Sequence, residues 1–100
     1  MTTTTAQTLI DYMDTRQECE YLRYSCCLGE SVITVVDLVG ATNDDGYRFR
    51  VSVDYVIDRY VPTGKEVVEL IQAMAGEESI RVRAYARFGT KTFDIRQGVR

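Results

Sequence analysis

The chain has 100 residues, of which 45% are apolar and 27% charged, and its formal net charge is −3. This length suits a single hydrophobic core, so we expect residues 1–100 to form one domain. No apolar run approaches the roughly 20 residues of a membrane span, and the threonine-rich start lacks the charged and apolar regions of a signal peptide. A cytoplasmic protein without a membrane partner is therefore expected.

The charge is unevenly distributed along the chain. Residues 1–45 carry eight acidic residues and two arginines, giving −6, whereas residues 46–100 carry seven acidic and ten basic residues, giving +3. A mildly acidic chain is not a general nucleic-acid binder, because affinity for phosphate needs a concentrated basic face. Binding of that kind would depend on a local group of arginines.

Apolar residues at helical spacing predict a first helix over 5–16, with Thr5 as the N-cap and Ala6, Leu9, Ile10 and Met13 on its apolar side. The next segment alternates. Leu22, Tyr24, Cys26 and Leu28 recur at every second position, which favours a strand. A helix that continues to a cap at Gly29 remains the alternative.

The strongest local pattern is a predicted hairpin in which strands 31–42 and 47–60 flank the turn residues 43–46. Pairing Thr42 with Tyr47 predicts a core face made of Val32, Thr34, Val36, Leu38, Val51, Val53, Tyr55 and Ile57. The same register predicts that Ile33, Val35, Val39, Ala41 and Val56 point away from the core.

The second half predicts a helix over 63–75, with Thr63 and Glu66 as a capping box and an apolar stripe of Val67, Leu70, Ile71 and Met74 that ends at Gly76. A second hairpin follows, in which Ile80, Val82, Ala84, Ala86 and Phe88 alternate with polar residues before a turn at Gly89 and Thr90. Its predicted register places Ala86 beside Phe93 and Ala84 beside Ile95.

These elements predict an α+β fold with a mostly antiparallel sheet of four or five strands. The expected order of elements is α-β-β-β-α-β-β, with both helices packed on one face of the sheet because each has a single apolar stripe.

Little in the sequence indicates catalysis or a cofactor. The chain has no histidine, and we interpret Cys19, Cys26 and Cys27 as structural thiols of a reducing compartment. We expect no catalytic residue, metal or cofactor. An enzyme that uses Asp37, Asp54 or Cys19 is kept as a residual hypothesis, with Asp58 as a further carboxylate that could gather with Asp37 and Asp54 on the outward side of the sheet.

Two surface features predict binding. Arg48, Arg50, Arg81, Arg83, Tyr85 and Arg87 are expected on the outward side of the sheet, where guanidinium groups could contact carboxylates or phosphates. Ile33, Val35 and Val56 are expected to form an apolar anchor, covered either by the first helix or by a partner.

The hypothesis that follows is a small non-enzymatic protein that docks on a larger protein or ribonucleoprotein assembly, with a homodimer as a further expectation. Its composition is similar to that of phage or mobile-element inhibitors of host defence, including anti-CRISPR proteins, although no residue motif supports that likeness. The alternative is binding of single-stranded nucleic acid across the sheet, with Tyr85 and Tyr47 stacking on bases.

Overall fold

A computed structural model describes residues 5–15, 22–38, 46–86 and 89–96. Within these ranges the elements are α1 (Thr5–Thr15), β1 (Leu22–Leu28), β2 (Ser31–Asp37), β3 (Phe49–Val53), β4 (Val56–Val61), α2 (Gly64–Ala75), β5 (Ile80–Ala86) and β6 (Gly89–Ile95). The strands form one antiparallel sheet in the order β4-β3-β2-β1-β5-β6. The predicted α+β class is confirmed, as is the strand over 22–28, but the described sheet has six strands.

The extra strand arises because residues 47–60 do not form the single strand that their alternation predicts. The chain reverses at Asp54 and Tyr55, both of which have positive φ, and Val53 then pairs with Val56. Positive φ at two successive turn positions is the geometry of a tight hairpin that usually contains glycine. Asp54 holds this turn against β2, because its amide donates to the Val32 carbonyl at 2.8 Å and its carboxylate accepts from the Val32 amide at 2.9 Å.

The pairing of β2 with β3 differs from the predicted register. Val35 lies opposite Val51 and Ile33 opposite Val53, whereas the sequence pattern predicted Leu38 and Val36 at those places. Because the difference is an odd number of residues, it reverses the two faces of β2. The prediction that Ile33 and Val35 face away from the core is therefore wrong, and both are buried.

A buried ion pair explains why this register is stable. Asp37 shares its buried face of β2 with Ile33 and Val35, a position that is unfavourable for an unpaired carboxylate. However, Arg48 donates from Nε and Nη2 to the two carboxylate oxygens of Asp37, each at 3.0 Å. A bidentate pair of this kind satisfies a carboxylate that would otherwise be costly to bury.

The turn of the second hairpin also differs from the prediction. Val82 pairs with Phe93 and Ile80 with Ile95, so the register is shifted by an even number of residues from the predicted one and the faces are unchanged. Gly89 is the first residue of β6, so the prediction of a turn at Gly89 and Thr90 is wrong. Lys91, the predicted partner of Phe88, pairs with Ala84, and Phe88 itself lies outside the described residues.

Both helices pack on the same side of the sheet. Leu9 and Met13 of α1, together with Val67, Val68 and Ile71 of α2, join one core with the buried strand residues. Thr63 caps α2, since its Oγ1 accepts from the Glu66 amide, and the same hydroxyl donates to the Glu66 carboxylate. The stripe of α2 is rotated from the prediction, because Val68 is buried and Met74 is exposed.

The two helices also approach each other closely. Gly64, the first residue of α2, donates its amide to the Asp14 carboxylate of α1 at 2.8 Å. A Cβ on Gly64 would lie 2.8 Å from the Met13 Cβ, so only glycine fits without displacing α1. Asp14 thus adds a carboxylate to the N-terminus of α2, where negative charge is favourable.

No helix within the described ranges is long and apolar enough to cross a membrane. The side of the sheet opposite the two helices has no described helix packed on it, and it is the surface on which the candidate site lies.

Candidate protein-docking face

The outer face is defined here by two rows of side chains that cross the sheet on the side opposite the helices. The first row contains Tyr60, Arg50, Val36, Arg23, Tyr85 and Thr90, in order from β4 to β6. The second contains Ile57, Ser52, Thr34, Ser25, Arg83 and Thr92. The two rows hold three arginines and no carboxylate, so the outer face is positive on a chain whose net charge is negative.

Arg23 and Arg50 stand on either side of Val36 in the first row. Each is directly opposite Val36 on a neighbouring strand, so their Cα atoms lie about 10 Å apart. Neither guanidinium has an ion pair with a carboxylate among the described residues. In both side chains Nε is shielded from solvent and lacks a hydrogen-bond partner there.

Aromatic rings border the two arginines. The Arg23 guanidinium lies over the Tyr85 ring, with its Cζ 5.0 Å from the ring centroid, which fixes the side chain along the sheet surface. Tyr60 lies opposite Arg50 at the β4 edge and is partly exposed. The first row is therefore a strip in which one aliphatic side chain lies between two cations, with a tyrosine beyond each of them.

Arg81 and Arg83 extend the positive surface along β5, and both are exposed. Arg83 lies opposite Ser25 and makes no ion pair with a described residue. Arg81 pairs with Asp94 at 2.8 Å, and the hydrogen bond to this carboxylate raises the pKa of the guanidinium. A shallow depression lies beside them, lined by Ser25, Cys26, Cys27, Arg81, Arg83 and Tyr85.

The structure brings four of the predicted contact residues onto this side of the sheet: Arg50, Arg81, Arg83 and Tyr85. Arg48 is placed differently from the prediction, because it turns toward the helix side and binds Asp37. That hydrogen bond raises the pKa of Arg48, against the opposing effect of burial. The predicted contact at Arg87 lies outside the described residues.

The predicted apolar anchor does not form. Ile33 and Val35 are core residues, so they cannot line an outward patch. Val56 is exposed as predicted, but it lies opposite Val53 on the helix side of the sheet rather than on the outer face. Its exposure arises because β4 is the edge strand.

Arg23 and Tyr60 were missed by the sequence reasoning. The alternation of Leu22, Tyr24 and Cys26 already places Arg23 on the polar side of its strand, but only the central position of β1, between β2 and β5, brings it next to Tyr85. Strand order was therefore the missing information. Tyr60 was read as part of one long strand and lies instead opposite Arg50 across the missed turn.

The residual catalytic candidates are not brought together. Asp37 is buried beside Arg48, Asp54 holds a turn, and Asp58 pairs with Arg59 on β4. The residual hypothesis that these carboxylates gather on the outward side is wrong for Asp37, which is buried on the helix side. Among the described residues no group of three acidic or thiol side chains is arranged to hold a metal ion, and Cys19 lies outside them.

Comparison of the chain with protein-family models, with curated proteins and with solved structures gives no match. The functional reading therefore depends on the geometry of the outer face.

Proposed function

We propose that this protein is a non-enzymatic binding module that docks on a larger protein assembly through the outer face, by contacts with an acidic protein surface. The observation that carries the proposal is the pair Arg23 and Arg50, which lie on a sheet surface that no described helix covers and have no carboxylate partner among the described residues. Folding alone rarely leaves two adjacent, partly buried guanidinium groups unpaired. A partner's carboxylates would complete their hydrogen bonding.

The composition of the strip supports a protein partner. Arginine and tyrosine are enriched among the residues that contribute most to protein–protein affinity, and they are most effective where water is excluded around them. Val36 lies between the arginines and provides an apolar contact at the centre. Bidentate binding of carboxylates by Arg23 and Arg50 would then fix the orientation of the partner.

Two observations favour this over single-stranded nucleic acid. The Arg23 guanidinium already covers one face of the Tyr85 ring, so a base would have to displace it in order to stack there. The other proposed stacking residue, Tyr47, precedes β3 and belongs to neither row of the outer face. Inhibition of host defence and a cytoplasmic location remain predictions. The outer face neither supports nor contradicts them.

The test is an equilibrium titration followed by fluorescence anisotropy. A labelled glutamate-rich peptide represents an acidic protein surface, and a single-stranded RNA with the same number of negative charges represents nucleic acid. We expect salt-sensitive binding of the peptide and weaker binding of the RNA. Arg23→Glu with Arg50→Glu should reduce peptide affinity by about tenfold or more, since two charge-assisted contacts become repulsive.

Lys65→Glu with Lys91→Glu is the matched control, because it changes net charge equally while Lys65 lies on α2 and Lys91 lies opposite Ala84 on the helix side. If both double variants lose affinity equally, the effect is one of net charge and the outer face is not the docking surface. Tighter binding of the RNA than of the peptide would replace the proposal with nucleic-acid recognition.

A further inference from the structure

The β4 edge of the sheet carries an exposed apolar segment, of which Ile57 and Tyr60 also belong to the outer face. Val56 is 70% exposed and Ile57 51%, and Tyr60 is also partly exposed. Edge strands with uncovered apolar side chains are places where another strand can pair. The sequence and geometry of β4 indicate which strand fits.

The decisive feature is the residue inserted in β4. Arg59 lies opposite Val51 and Ile57 opposite the next residue, Ser52, so Asp58 is an extra residue in the ladder. Residues directly opposite each other share a face of the sheet. Val56, Arg59 and Val61 are therefore on the helix side, whereas Ile57 and Tyr60 are on the outer face.

This insertion makes the strand symmetric about its centre. Outward from the Asp58–Arg59 pair in either direction, an outer-face residue comes first and a helix-side residue second. In a regular strand, successive side chains point to opposite faces of the sheet. Two residues at equal distances from a point midway between neighbouring residues would therefore lie on opposite faces, and the strand could not be symmetric about that point. The bulge removes the conflict, and the strand can then meet an antiparallel copy of itself across a two-fold axis perpendicular to the sheet.

We propose that two copies of the chain pair through β4 around such an axis. Ile57 of each copy would lie opposite Tyr60 of the other on the outer face, and Val56 opposite Val61 on the helix side. At the axis, Asp58 of each copy would meet Arg59 of the other. These two side chains now pair with each other within one chain at 3.0 Å, and both are exposed, so exchanging partners costs little.

Bulges and charged residues on an edge strand normally prevent pairing with other strands. Here the bulge and the charged pair favour a second copy of β4 over other strands. An unrelated straight strand would match neither the inserted residue nor the order of the two charges. Only one short strand from each copy takes part, so the interface is below the roughly 1,200 Å² of a stable complex. The dimer is accordingly expected to be reversible and dependent on concentration.

Pairing at β4 would join the two sheets into one and place the two outer faces side by side. Because Ile57 of each copy would lie opposite Tyr60 of the other, the first row of each outer face would continue into the second row of the other copy. The dimer proposal is tested separately from the proposed function, because its test changes only Asp58 and Arg59, which do not belong to the outer face as defined above.

Charge exchange at the axis tests the proposal. Sedimentation velocity over a concentration series up to the sub-millimolar range should show a monomer–dimer equilibrium for the unaltered chain. Asp58→Arg or Arg59→Asp alone places like charges opposite each other and should shift the equilibrium to monomer, with the dissociation constant raised about tenfold. The double variant, with both changes, restores opposite charges and should recover the dimer.

Recovery in the double variant separates a direct contact from loss of folding, and unchanged thermal unfolding of the three variants provides a second check. Glu77→Arg, in the exposed turn after α2, changes charge as much as Asp58→Arg and should leave the equilibrium unaltered. A monomer at every concentration, or single variants that dimerise as well as the unaltered chain, would overturn the proposal. A double variant that remains monomeric while folded would overturn it as well.

Discussion

On the helix side of the sheet, the Asp37 carboxylate is fully shielded from solvent and accepts a bidentate hydrogen bond from Arg48. Removing one member of a buried pair leaves the other charge uncompensated, which is far more costly than losing both. Arg48→Met should therefore lower the free energy of unfolding by about 3 to 5 kcal/mol, measured by urea denaturation.

Replacement of both members is the control for this prediction. Asp37→Leu together with Arg48→Met removes the charges and leaves an apolar contact, so most of the lost stability should return. If Arg48→Met changed stability no more than a typical surface substitution, the pair would contribute little to the register of β2 and β3.

A second prediction at the level of single residues concerns the Cys26 thiol. Burial, with a smaller effect of Cys27, raises the pKa of Cys26 from the ordinary value of 9.0 to about 12. Because the folded state then retains its proton longer than the unfolded state, the stabilisation is complete below pH 9 and is lost as the pH rises toward 12. Over that window the free energy of unfolding should fall by up to about 1.4 kcal/mol per pH unit.

Cys26→Ala isolates this effect, since tyrosines and other groups titrate equally in both proteins. The variant should show a shallower fall in stability over the same window in urea denaturation at stepped pH. Identical slopes would mean that the Cys26 thiolate is not excluded from the folded state.

At the scale of the elements, the contact between the two helices depends on the absence of a side chain at Gly64. An alanine there would place its Cβ 2.8 Å from the Met13 Cβ and 2.9 Å from the Asp14 carboxylate. Gly64→Ala should lower the free energy of unfolding by about 1 to 3 kcal/mol, as expected for overpacking. Chemical denaturation measures the change.

Gly89→Ala is the matched control, because a Cβ at Gly89 meets no atom within 4 Å. The free energy of unfolding of this variant should stay within about 0.5 kcal/mol of that of the unaltered chain. Equal stability of both variants would show that α1 and α2 can separate without cost.

The elements also show why some features could be predicted from the sequence and others could not. On β5, arginine and aliphatic residues alternate strictly, so the pattern determines the faces: Val82 and Ala84 are buried, and Arg81 and Arg83 are exposed. On β2, by contrast, residues 32–36 are all apolar or β-branched, so either face could be buried. The pairing of Thr42 with Tyr47 selected the wrong face, and the burial of Asp37 beside Arg48 was not foreseen.

The turn at Asp54 and Tyr55 was missed for a different reason. Positive φ is unfavourable for residues other than glycine, asparagine and aspartate, so Tyr55 gave no indication of a turn. Its conformation is tolerated because Asp54 is bonded to β2 by two hydrogen bonds. Tertiary contacts of this kind cannot be read from local sequence.

For the whole molecule, the sheet separates an apolar side under two helices from a positive side without a described helix. The parity of the strands predicted this separation, but the strand order produced the candidate site, since it brings Arg23 of β1 between Val36 and Tyr85. An acidic chain with a positive face would be guided toward an acidic partner in one orientation.

The most direct test of this account is the location of binding, measured by amide chemical shifts of the ¹⁵N-labelled protein during titration with the glutamate-rich peptide. If the outer face binds the peptide, the largest shifts should occur at Arg23, Val36, Arg50 and Arg83 and should disappear in the Arg23→Glu, Arg50→Glu variant. Shifts confined to α1 and α2, or spread evenly over both sides of the sheet, would contradict the claim that the outer face is the docking surface.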